Sequence, residues 1–331
     1  MPEVEYLLEV IGLKKYFKVG GGQVIKAVDN INLQIKKGET LGLVGESGCG
    51  KTTAGRTILR LYEPSAGEIF FAGEDISKLS GPKLKTIRRR LQMIFQDPYA
   101  SLNPRMTVGE IIGEALDIHN LAQGKQRQGR ILELLRLVGL NAEHASRFPH
   151  EFSGGQRQRV GIARALAVEP QLIICDEPIS ALDVAIQAQV VNLLKQLQNS
   201  LGLTYLFIAH DLSMVQYISH CVAVMYLGQI VELASSKELY TQPLHPYTQA
   251  LISAIPVADP DLAAKRESEA LIGDVGASIE QDAGCSFQPR CRVAQSICRQ
   301  QQPEFLERKP GHFVACHLEY NNKLCQGRTK L

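Results

Sequence analysis

The chain has 331 residues, of which 45% are hydrophobic and 21% are charged. These proportions are typical of a globular protein, and the length predicts two domains or one domain with an extension. The net charge of +2 gives no reason to expect a nucleic-acid partner. No segment approaches the roughly 20 apolar residues that span a bilayer, and the first residues lack a secretory signal. We therefore expect a cytoplasmic protein that reaches any membrane through partners.

The first forty residues predict short strands joined by turns. Residues 31–35 alternate apolar and polar side chains, which suits a half-buried antiparallel strand, and residues 6–10 and 24–28 are similar runs. Tyr16 and Phe17 lie just before a run of three glycines. Either ring could stack on a purine, and an exposed aromatic on a strand edge is the other interpretation.

Residues 40–53 pass from an apolar strand through a glycine-rich turn into a helix, and they fit the pattern G-x-x-x-x-G-K-S/T. The glycines allow backbone N–H groups to surround phosphate oxygens, and the helix N-terminus attracts the same anion. We expect Lys51 to reach the β- and γ-phosphates and Thr52 to hold Mg²⁺. The alternative is a chance match in a glycine-rich turn. The other candidate nucleotide-binding residues in this loop are Gly45, Ser47, Gly48, Gly50 and Thr53.

The middle of the chain predicts an α/β fold. After strands at 67–71 and 91–95, residues 99–164 show helical spacing and indicate a helical insertion. Apolar runs at 172–175, 204–209 and 221–226 then alternate with helices, which predicts a parallel sheet.

Polar residues follow these predicted strands, at the end where such sheets bind ligands. Gln96 follows the run at 91–95, Asp176 and Glu177 follow that at 172–175, and His210 follows that at 204–209. Taken singly, each has an ordinary explanation. Asp176 and Glu177 could cap a helix, and His210 could be a histidine at a strand end without a function.

Residues 152–159, FSGGQRQR, resemble the signature motif of ATP-binding-cassette (ABC) ATPases. Together with the glycine-rich loop and the acidic pair after residue 175, they resemble this superfamily in order and spacing over roughly residues 6–255. Alone, the two glycines could mark only a helix start. The resemblance implies a P-loop NTPase core with an antiparallel β subdomain and a helical subdomain at about 99–164.

The same resemblance implies roles for individual residues. Glu177 would polarise the attacking water, and His210 would contact the γ-phosphate. Gln96 would contact Mg²⁺ and water, on a loop that also meets a membrane subunit. Asp176 would act on Mg²⁺ through water.

In ABC ATPases the signature of one subunit faces the phosphate loop of another. Ser153, Gly155 and Gln156 would thus bind ATP across a dimer of homologous subunits, which ATP closes and hydrolysis releases. Phe17, with Tyr16 as the alternative, resembles the adenine-stacking aromatic.

Three further stretches resemble the ATP-binding subunits of oligopeptide/dipeptide permeases, a group that includes nickel importers. They are residues 176–190, the PLHPY run at 243–247, and residues 284–317. The resemblance implies an ATPase at the cytoplasmic face of the plasma membrane that powers peptide uptake. Its partners would be two membrane permeases and an extracytoplasmic solute-binding protein. The alternatives are a soluble ABC ATPase acting in translation or DNA repair, an importer of nickel or another small solute, and a non-hydrolytic scaffold.

The C-terminal part predicts a separate cysteine-rich extension, residues 256–331, after an ABC domain of residues 1–255. Cys285, Cys291, Cys298 and Cys316 have 5, 6 and 17 residues between neighbours, in a segment too poor in apolar residues for its own core. The spacing differs from the paired C-x₂-C of zinc ribbons. It resembles an extension that binds a 4Fe–4S cluster in some members of the group, with a structural or redox-sensing role. Zinc, and free or oxidised thiols, are the alternatives.

Overall fold

The computed structural model describes residues 6–255 and 283–318. Its twelve strands are β1 Tyr6–Lys18, β2 Val24–Lys36, β3 Thr40–Val44, β4 Ala66–Phe71, β5 Glu74–Asp75, β6 Leu91–Ile94, β7 Leu172–Asp176, β8 Thr204–Ala209, β9 Cys221–Tyr226, β10 Gln229–Ser235, β11 Phe305–Lys309 and β12 His312–Ala315. The α-helices of these described ranges are α1 Lys51–Ile58, α2 Gly81–Arg90, α3 Val108–Ile118, α4 Gly124–Leu137, α5 Gly154–Leu166, α6 Val184–Leu201, α7 Leu212–Ile218, α8 Ser236–Thr241 and α9 Pro246–Ser253. Over these residues, no helix combines the length and the apolar character needed to cross a membrane.

The described residues form two sheets. The smaller is antiparallel, in the order β2-β1-β4-β5, and the larger has the order β11-β12-β10-β9-β3-β8-β7-β6. Strands β9, β3, β8, β7 and β6 of the larger sheet are parallel, and their buried apolar side chains agree with the continuous runs in the sequence. The predicted α/β fold is therefore confirmed. Helices α3, α4 and α5 lie between β6 and β7 in the chain, where the helical insertion was expected.

The first two strands are longer than their patterns predict. The predicted strands at 24–28 and 31–35 are one strand of 13 residues, and β1 extends eight residues past its predicted end. Register shifts at several points between these strands interrupt the two-residue alternation while the pairing continues. At one of them the Gly12 N–H donates to Asn32 Oδ1 at 2.8 Å. A prediction based on strict alternation therefore places the ends of such strands too early in the chain.

The described C-terminal residues join the large sheet. Strand β12 pairs with β10, so that Val314 lies opposite Glu232, and β11 forms the outer edge. The Phe287 ring is 2% exposed and packs in the main core. This segment was expected to lack apolar residues for a core of its own, and it buries Phe287 and Val314 against the rest of the protein while Val293, Ile297 and Leu306 stay exposed. Residues 256–282 and 319–331 of the predicted extension lie outside the described residues, and the predicted boundary at 255 stays a prediction.

A buried carboxylate joins this C-terminal strand to the chain that precedes it. Glu232 is fully buried and accepts hydrogen bonds from the backbone N–H groups of Leu244 and His245, at 2.7 and 2.9 Å. Its third contact is His312 Nε2 on β12, at 2.7 Å from Glu232 Oε1. A buried carboxylate left without such partners would destabilise the fold, so these three contacts hold β10, the PLHPY run and β12 together.

We expect His245 to make stability depend on pH. Burial lowers the pKa of His245 from 6.5 to about 4, against the opposing effect of the Glu232 charge. Between those values the unfolded chain binds a proton that the folded chain does not, so stability falls as the pH falls through this window. From pH 7.5 to pH 5 this one group should cost about 2 kcal/mol of unfolding free energy.

The test compares urea unfolding of the wild type and His245→Asn at both pH values. His245 Nδ1 accepts from the Tyr247 N–H at 3.0 Å, and an asparagine oxygen can replace that acceptor without titrating. The variant should lose about 2 kcal/mol less than the wild type on acidification. Equal losses would contradict the assignment.

Candidate nucleotide site

The candidate site lies along one edge of the large sheet, at the carboxyl ends of four neighbouring parallel strands. In the spatial order β3, β8, β7, β6, the phosphate loop follows the first strand and His210 follows the second. Asp176 ends the third strand, Glu177 comes next in the chain, and Gln96 follows the fourth after one intervening residue. The topology thus brings together groups that are up to 165 residues apart in sequence, at the edge where such sheets bind ligands.

Two glycines of the phosphate loop are required by close packing. Gly45 has φ +152°, and a Cβ built on it would lie 2.2 Å from the carbonyl oxygen of Met225. Gly50 has φ +108°, and a Cβ there would lie 2.0 Å from the carbonyl oxygen of Ala27. Gly48 has open space around it but also has a positive φ, +81°. The loop therefore keeps a shape that larger residues would break, with its backbone free of side chains at these three positions.

The first residues of α1 complete this cradle. The helix begins at Lys51, so the N–H groups of its first turn, including those of Thr52 and Thr53, have no partner within the helix and are available to an anion. Lys51 is 4% exposed, and its Nζ donates to the carbonyl oxygens of Gly45 at 2.7 Å and Glu46 at 2.9 Å. Ser47 lies in the turn between these residues. The arrangement is that of an anion-binding loop with one lysine folded onto it.

Two of the three residues expected near Mg²⁺, Thr52 and Asp176, are in contact, whereas Gln96 contacts Glu177 instead. Thr52 Oγ1 donates to Asp176 Oδ1 at 2.7 Å, and Asp176 is fully buried. Burial raises the pKa of Asp176, and the Thr52 hydroxyl and the Arg56 charge oppose that rise. Asp176 Oδ2 is buried with no hydrogen-bond partner among the described residues. A buried oxygen acceptor without a hydrogen-bond partner fits a site where a hydrated Mg²⁺ would supply that partner.

The three predicted catalytic residues meet at one carboxylate oxygen. Gln96 Nε2 donates to Glu177 Oε2 at 2.9 Å, and His210 Nδ1 lies 3.4 Å from the same oxygen. Glu177 has φ +45°, a left-handed conformation that costs a non-glycine residue about 1–3 kcal/mol. Its N–H donates to the Ile208 carbonyl at 2.9 Å and holds it there. Strain of this kind is typical of residues placed by function.

The two candidate aromatic residues differ in the contacts that hold their rings. The Tyr16 hydroxyl donates to the Asp29 carboxylate, and burial together with this contact raises its pKa. Phe17 makes an edge contact with Tyr62, with ring centroids 5.7 Å apart, and Lys15 Nζ lies 4.9 Å from the Phe17 centroid. Phe17 therefore has the ring that is not fixed by a hydrogen bond.

The signature residues form a capped helix start away from the phosphate loop. Ser153 caps α5: its hydroxyl accepts from the Gln156 N–H at 3.4 Å, and the Gln156 side chain accepts from the Ser153 N–H at 3.0 Å. In the described part of the chain, no hydrogen bond joins Ser153, Gly155 or Gln156 to the loop at 45–52. Ser153 and Gly154 are exposed. These two residues are thus open to solvent, whereas Gly155 is buried.

The four candidate cluster cysteines are close enough to influence one another electrostatically. Burial raises the pKa of Cys285 to about 11, and Cys298, Cys316 and Cys291 each add to that rise. The Cys285 N–H also donates to the Cys298 carbonyl at 2.8 Å. Within residues 6–255 and 283–318, however, no group of three or more His, Cys, Asp or Glu side chains is arranged to hold a metal ion.

Sequence reasoning missed the contacts that support the phosphate loop from outside. The Glu46 N–H donates to the Tyr247 hydroxyl at 2.9 Å, and the Glu46 carboxylate forms an ion pair with Arg290. The PLHPY run that contains Tyr247 resembles the peptide permease group, but its sequence predicts no contact with the phosphate loop. Nothing in the sequence near Arg290 indicates a partner 244 residues away.

Comparisons with known proteins agree with this geometry. Residues 28–180 match the family described as ABC transporter, and residues 231–298 match the family described as oligopeptide/dipeptide transporter, C-terminal region. The oligopeptide transport ATP-binding protein AppF of Bacillus subtilis (strain 168) is 55% identical over 95% of this chain and 98% of its own length. OppF of the same strain is 58% identical over 94% of this chain and 96% of its own length.

Solved structures agree as well. The dimeric structure of a post-hydrolysis state of the ATP-binding cassette MJ0796 bound to ADP and Pi has a TM-score of 0.64 and 31% identity, over 69% of this chain and 98% of that one. The structure of cbiO1 from Clostridium perfringens, part of the ABC transporter complex cbiONQ, has a TM-score of 0.63 and 28% identity, over 72% and 92%.

Fold and site together define a P-loop ATPase of the ATP-binding-cassette type. Matches over nearly the whole chain give the narrower assignment: the protein belongs to the oligopeptide transport ATP-binding family of ABC transporters.

The two signature glycines should respond differently to alanine. A Cβ on Gly155 would lie 2.4 Å from Ile186 Cγ2, a stiff branched side chain on α6, whereas a Cβ on Gly154 would lie 3.3 Å from the end of the Leu182 side chain. Gly155→Ala should therefore lower the unfolding free energy by about 1–3 kcal/mol, through overpacking between α5 and α6. Urea denaturation measures this, and Gly154→Ala, expected to change stability by less than about 1 kcal/mol, is the matched control. A Gly155→Ala protein as stable as the wild type would contradict this packing.

Proposed function

We propose that this ATPase powers the import of oligopeptides or dipeptides through a membrane pore. The ATPase activity is supported chiefly by one observation: Gln96 and His210 both contact the Glu177 carboxylate, beside the Thr52–Asp176 pair. The substrate class is supported by relatives named for oligopeptide transport and by the C-terminal match over residues 231–298. Nickel or another small solute is a weaker alternative, and a soluble role in translation or DNA repair is not favoured.

The chemistry assigned to the site follows from its contacts. Glu177 accepts the proton of the attacking water, and the Gln96 amide and His210 orient that carboxylate. Lys51 leaves the carbonyls of its own loop to contact the β- and γ-phosphates. Thr52 and, through water, Asp176 would hold Mg²⁺, which would neutralise phosphate charge. Phe17 stacks on adenine, with Tyr16 as the alternative.

A complete site requires a second ATPase subunit. Ser153 and Gly154 are exposed at the start of α5, and among the described residues Ser153, Gly155 and Gln156 make no hydrogen bond to the phosphate loop, which suits a helix start that binds the γ-phosphate of a facing subunit. The dimeric MJ0796 cassette, bound to ADP and Pi, supports this arrangement. The facing subunit is a second copy of this chain or a homologue.

A groove beside the Gln96 loop is our candidate for contact with a membrane permease. It encloses about 280 Å³ and is lined by Phe95, Arg164 and the half-exposed side chains of Leu61 and Ile118. A largely apolar groove with two half-buried arginines, Arg88 and Arg164, fits an amphipathic segment of a partner, and movement of that segment would reach Gln96 through its neighbour Phe95. Two permeases and an extracytoplasmic solute-binding protein would complete the importer, with this subunit at the cytoplasmic face of the plasma membrane.

The four C-terminal cysteines are proposed as ligands of a 4Fe–4S cluster. A four-iron cluster is larger than a single ion, so its thiolates need not converge as closely as the ligands of one metal ion. Burial raises the pKa of Cys285 and Cys291, and the nearby Cys298 and Cys316 add to both rises, which supports such a grouping. Binding requires thiolates, so the raised pKa of Cys285 means that cluster insertion releases a proton. Zinc, and free or oxidised thiols, remain the alternatives.

ATP turnover of the complex reconstituted with its permeases tests the site. Glu177→Gln keeps the shape of the side chain but removes the base, so turnover should fall roughly 10²- to 10⁴-fold while nucleotide still binds. Lys51→Ala should abolish transport-linked hydrolysis. Glu169→Gln is the matched control, because Glu169 also has a positive φ but pairs with Arg130 on the surface. Undiminished turnover in Glu177→Gln or Lys51→Ala would refute the assignment.

Anaerobic purification tests the cluster. We expect brown protein containing about four irons per chain, with a visible charge-transfer band that Cys298→Ser removes. Cys221→Ser, on β9, should keep the colour. Colourless, iron-free protein that contains zinc would overturn the proposal.

A further inference from the structure

One residue of the phosphate loop is held by side chains from the C-terminal part of the protein. Arg290 Nη1 lies 2.7 Å from Glu46 Oε2, and Arg290 Nη2 lies 3.0 Å from Glu46 Oε1, a two-point ion pair. The Arg290 side chain is 9% exposed and the Glu46 side chain 24%. The Glu46 backbone is engaged on both sides, since its N–H donates to Tyr247 and its carbonyl accepts from Lys51. A paired contact of this kind fixes orientation as well as distance.

Arg290 is presented by a turn that is anchored in the core. The turn Gln288–Arg290 follows Phe287, whose buried ring packs against Tyr226 and Tyr247 with centroids 5.3 and 5.5 Å apart. The Arg290 guanidinium itself lies 6.0 Å from the centre of the Tyr226 ring. The arginine is therefore positioned before nucleotide arrives, so little side-chain freedom is lost in holding the loop.

The charge of Glu46 makes this ion pair important for binding. In the segment 45–53 the charged residues are Glu46 and Lys51, so the loop that must bind a polyphosphate has no net side-chain charge of its own. An unpaired carboxylate there would repel the phosphates of ATP, because partial burial reduces the screening of charges by water. With Arg290 in place, the positive charge of Lys51 and the N–H groups of α1 act without that opposition.

We propose that Arg290 is a positioning residue for ATP binding, which neutralises Glu46 and fixes it in the phosphate loop. The inference rests on the proposed role of residues 45–52 in nucleotide binding. It makes the C-terminal part of the chain a direct contributor to ATP affinity. Arg290 lies between Cys285 and Cys291, so the turn that carries it also connects two of the candidate cluster ligands.

The experiment measures KM and kcat for ATP in the reconstituted complex. Arg290→Gln should raise KM about tenfold with kcat within about twofold, because the lost interaction acts on ground state and transition state alike. Arg290→Lys loses the two-point contact but keeps a positive charge beside the Glu46 carboxylate, and because that charge offsets the repulsion of phosphate, the KM should stay within about threefold of the wild type. The double variant Glu46→Gln/Arg290→Gln has no unpaired carboxylate and should regain a KM within about threefold of the wild type. Lys309→Met is the control, because it removes a positive charge of the same region that contacts Gln242 instead.

The outcomes separate this inference from the proposed function. A wild-type complex without ATP turnover would refute the proposed function and this inference together. Normal wild-type turnover with an unchanged KM in Arg290→Gln would overturn the inference alone. A double variant as impaired as Arg290→Gln would also overturn it, since Arg290 would then act only as a structural tether. If Arg290→Gln does not fold, Arg290→Lys and the double variant still decide, because a KM raised tenfold in either contradicts charge neutralisation.

Discussion

The alignment of four parallel strand ends is the constraint on which the rest of the structure depends. Because β3, β8, β7 and β6 are neighbours that run in the same direction, the residues that follow them are delivered to one edge. Hydrogen bonding in the sheet sets the spacing between neighbouring strands, so the distances among Thr52, Asp176, Gln96, Glu177 and His210 are determined by the sheet. Flexible loops alone would not hold such groups at hydrogen-bonding distance, and the strained backbone at Glu177 is stable only because the neighbouring strand holds it.

The site combines groups that are already in place with groups that have temporary partners. Thr52 and Asp176 are in contact, and one Asp176 oxygen is left for a further ligand. Lys51, by contrast, is satisfied by carbonyls of its own loop. In the role proposed for Lys51, nucleotide binding exchanges those contacts for phosphate contacts of similar kind, so the desolvation cost for the lysine is small at that step. This is a reasonable arrangement for a protein that must bind and release its ligand in every cycle.

The parts of the structure that could be predicted from the sequence are those encoded within short segments. The glycine-rich loop, the apolar strand followed by Asp176 and Glu177, and the FSGGQ helix start each place their residues by local geometry, and the strands and helix were expected where they occur. The ion pair of Arg290 with Glu46 joins residues 244 apart, and no local pattern encodes it. The same holds for the attachment of β12 to the large sheet, where a segment of weak pattern is stabilised by a surface made elsewhere. The lengths of the first two strands were underpredicted for another reason. Their register shifts interrupt the two-residue alternation that indicates a strand.

The buried Glu232 carboxylate has a consequence for how the protein is made. Its third partner, His312, is encoded 80 residues later, on a strand that pairs with β10. Because a chain emerges from the ribosome amino end first, all the catalytic motifs are translated while this carboxylate still lacks that partner and the edge of β10 is open. Folding of the large sheet is thus completed only when β12 has been translated. A ribosome that stalls before β12 would release a protein with an unprotected sheet edge.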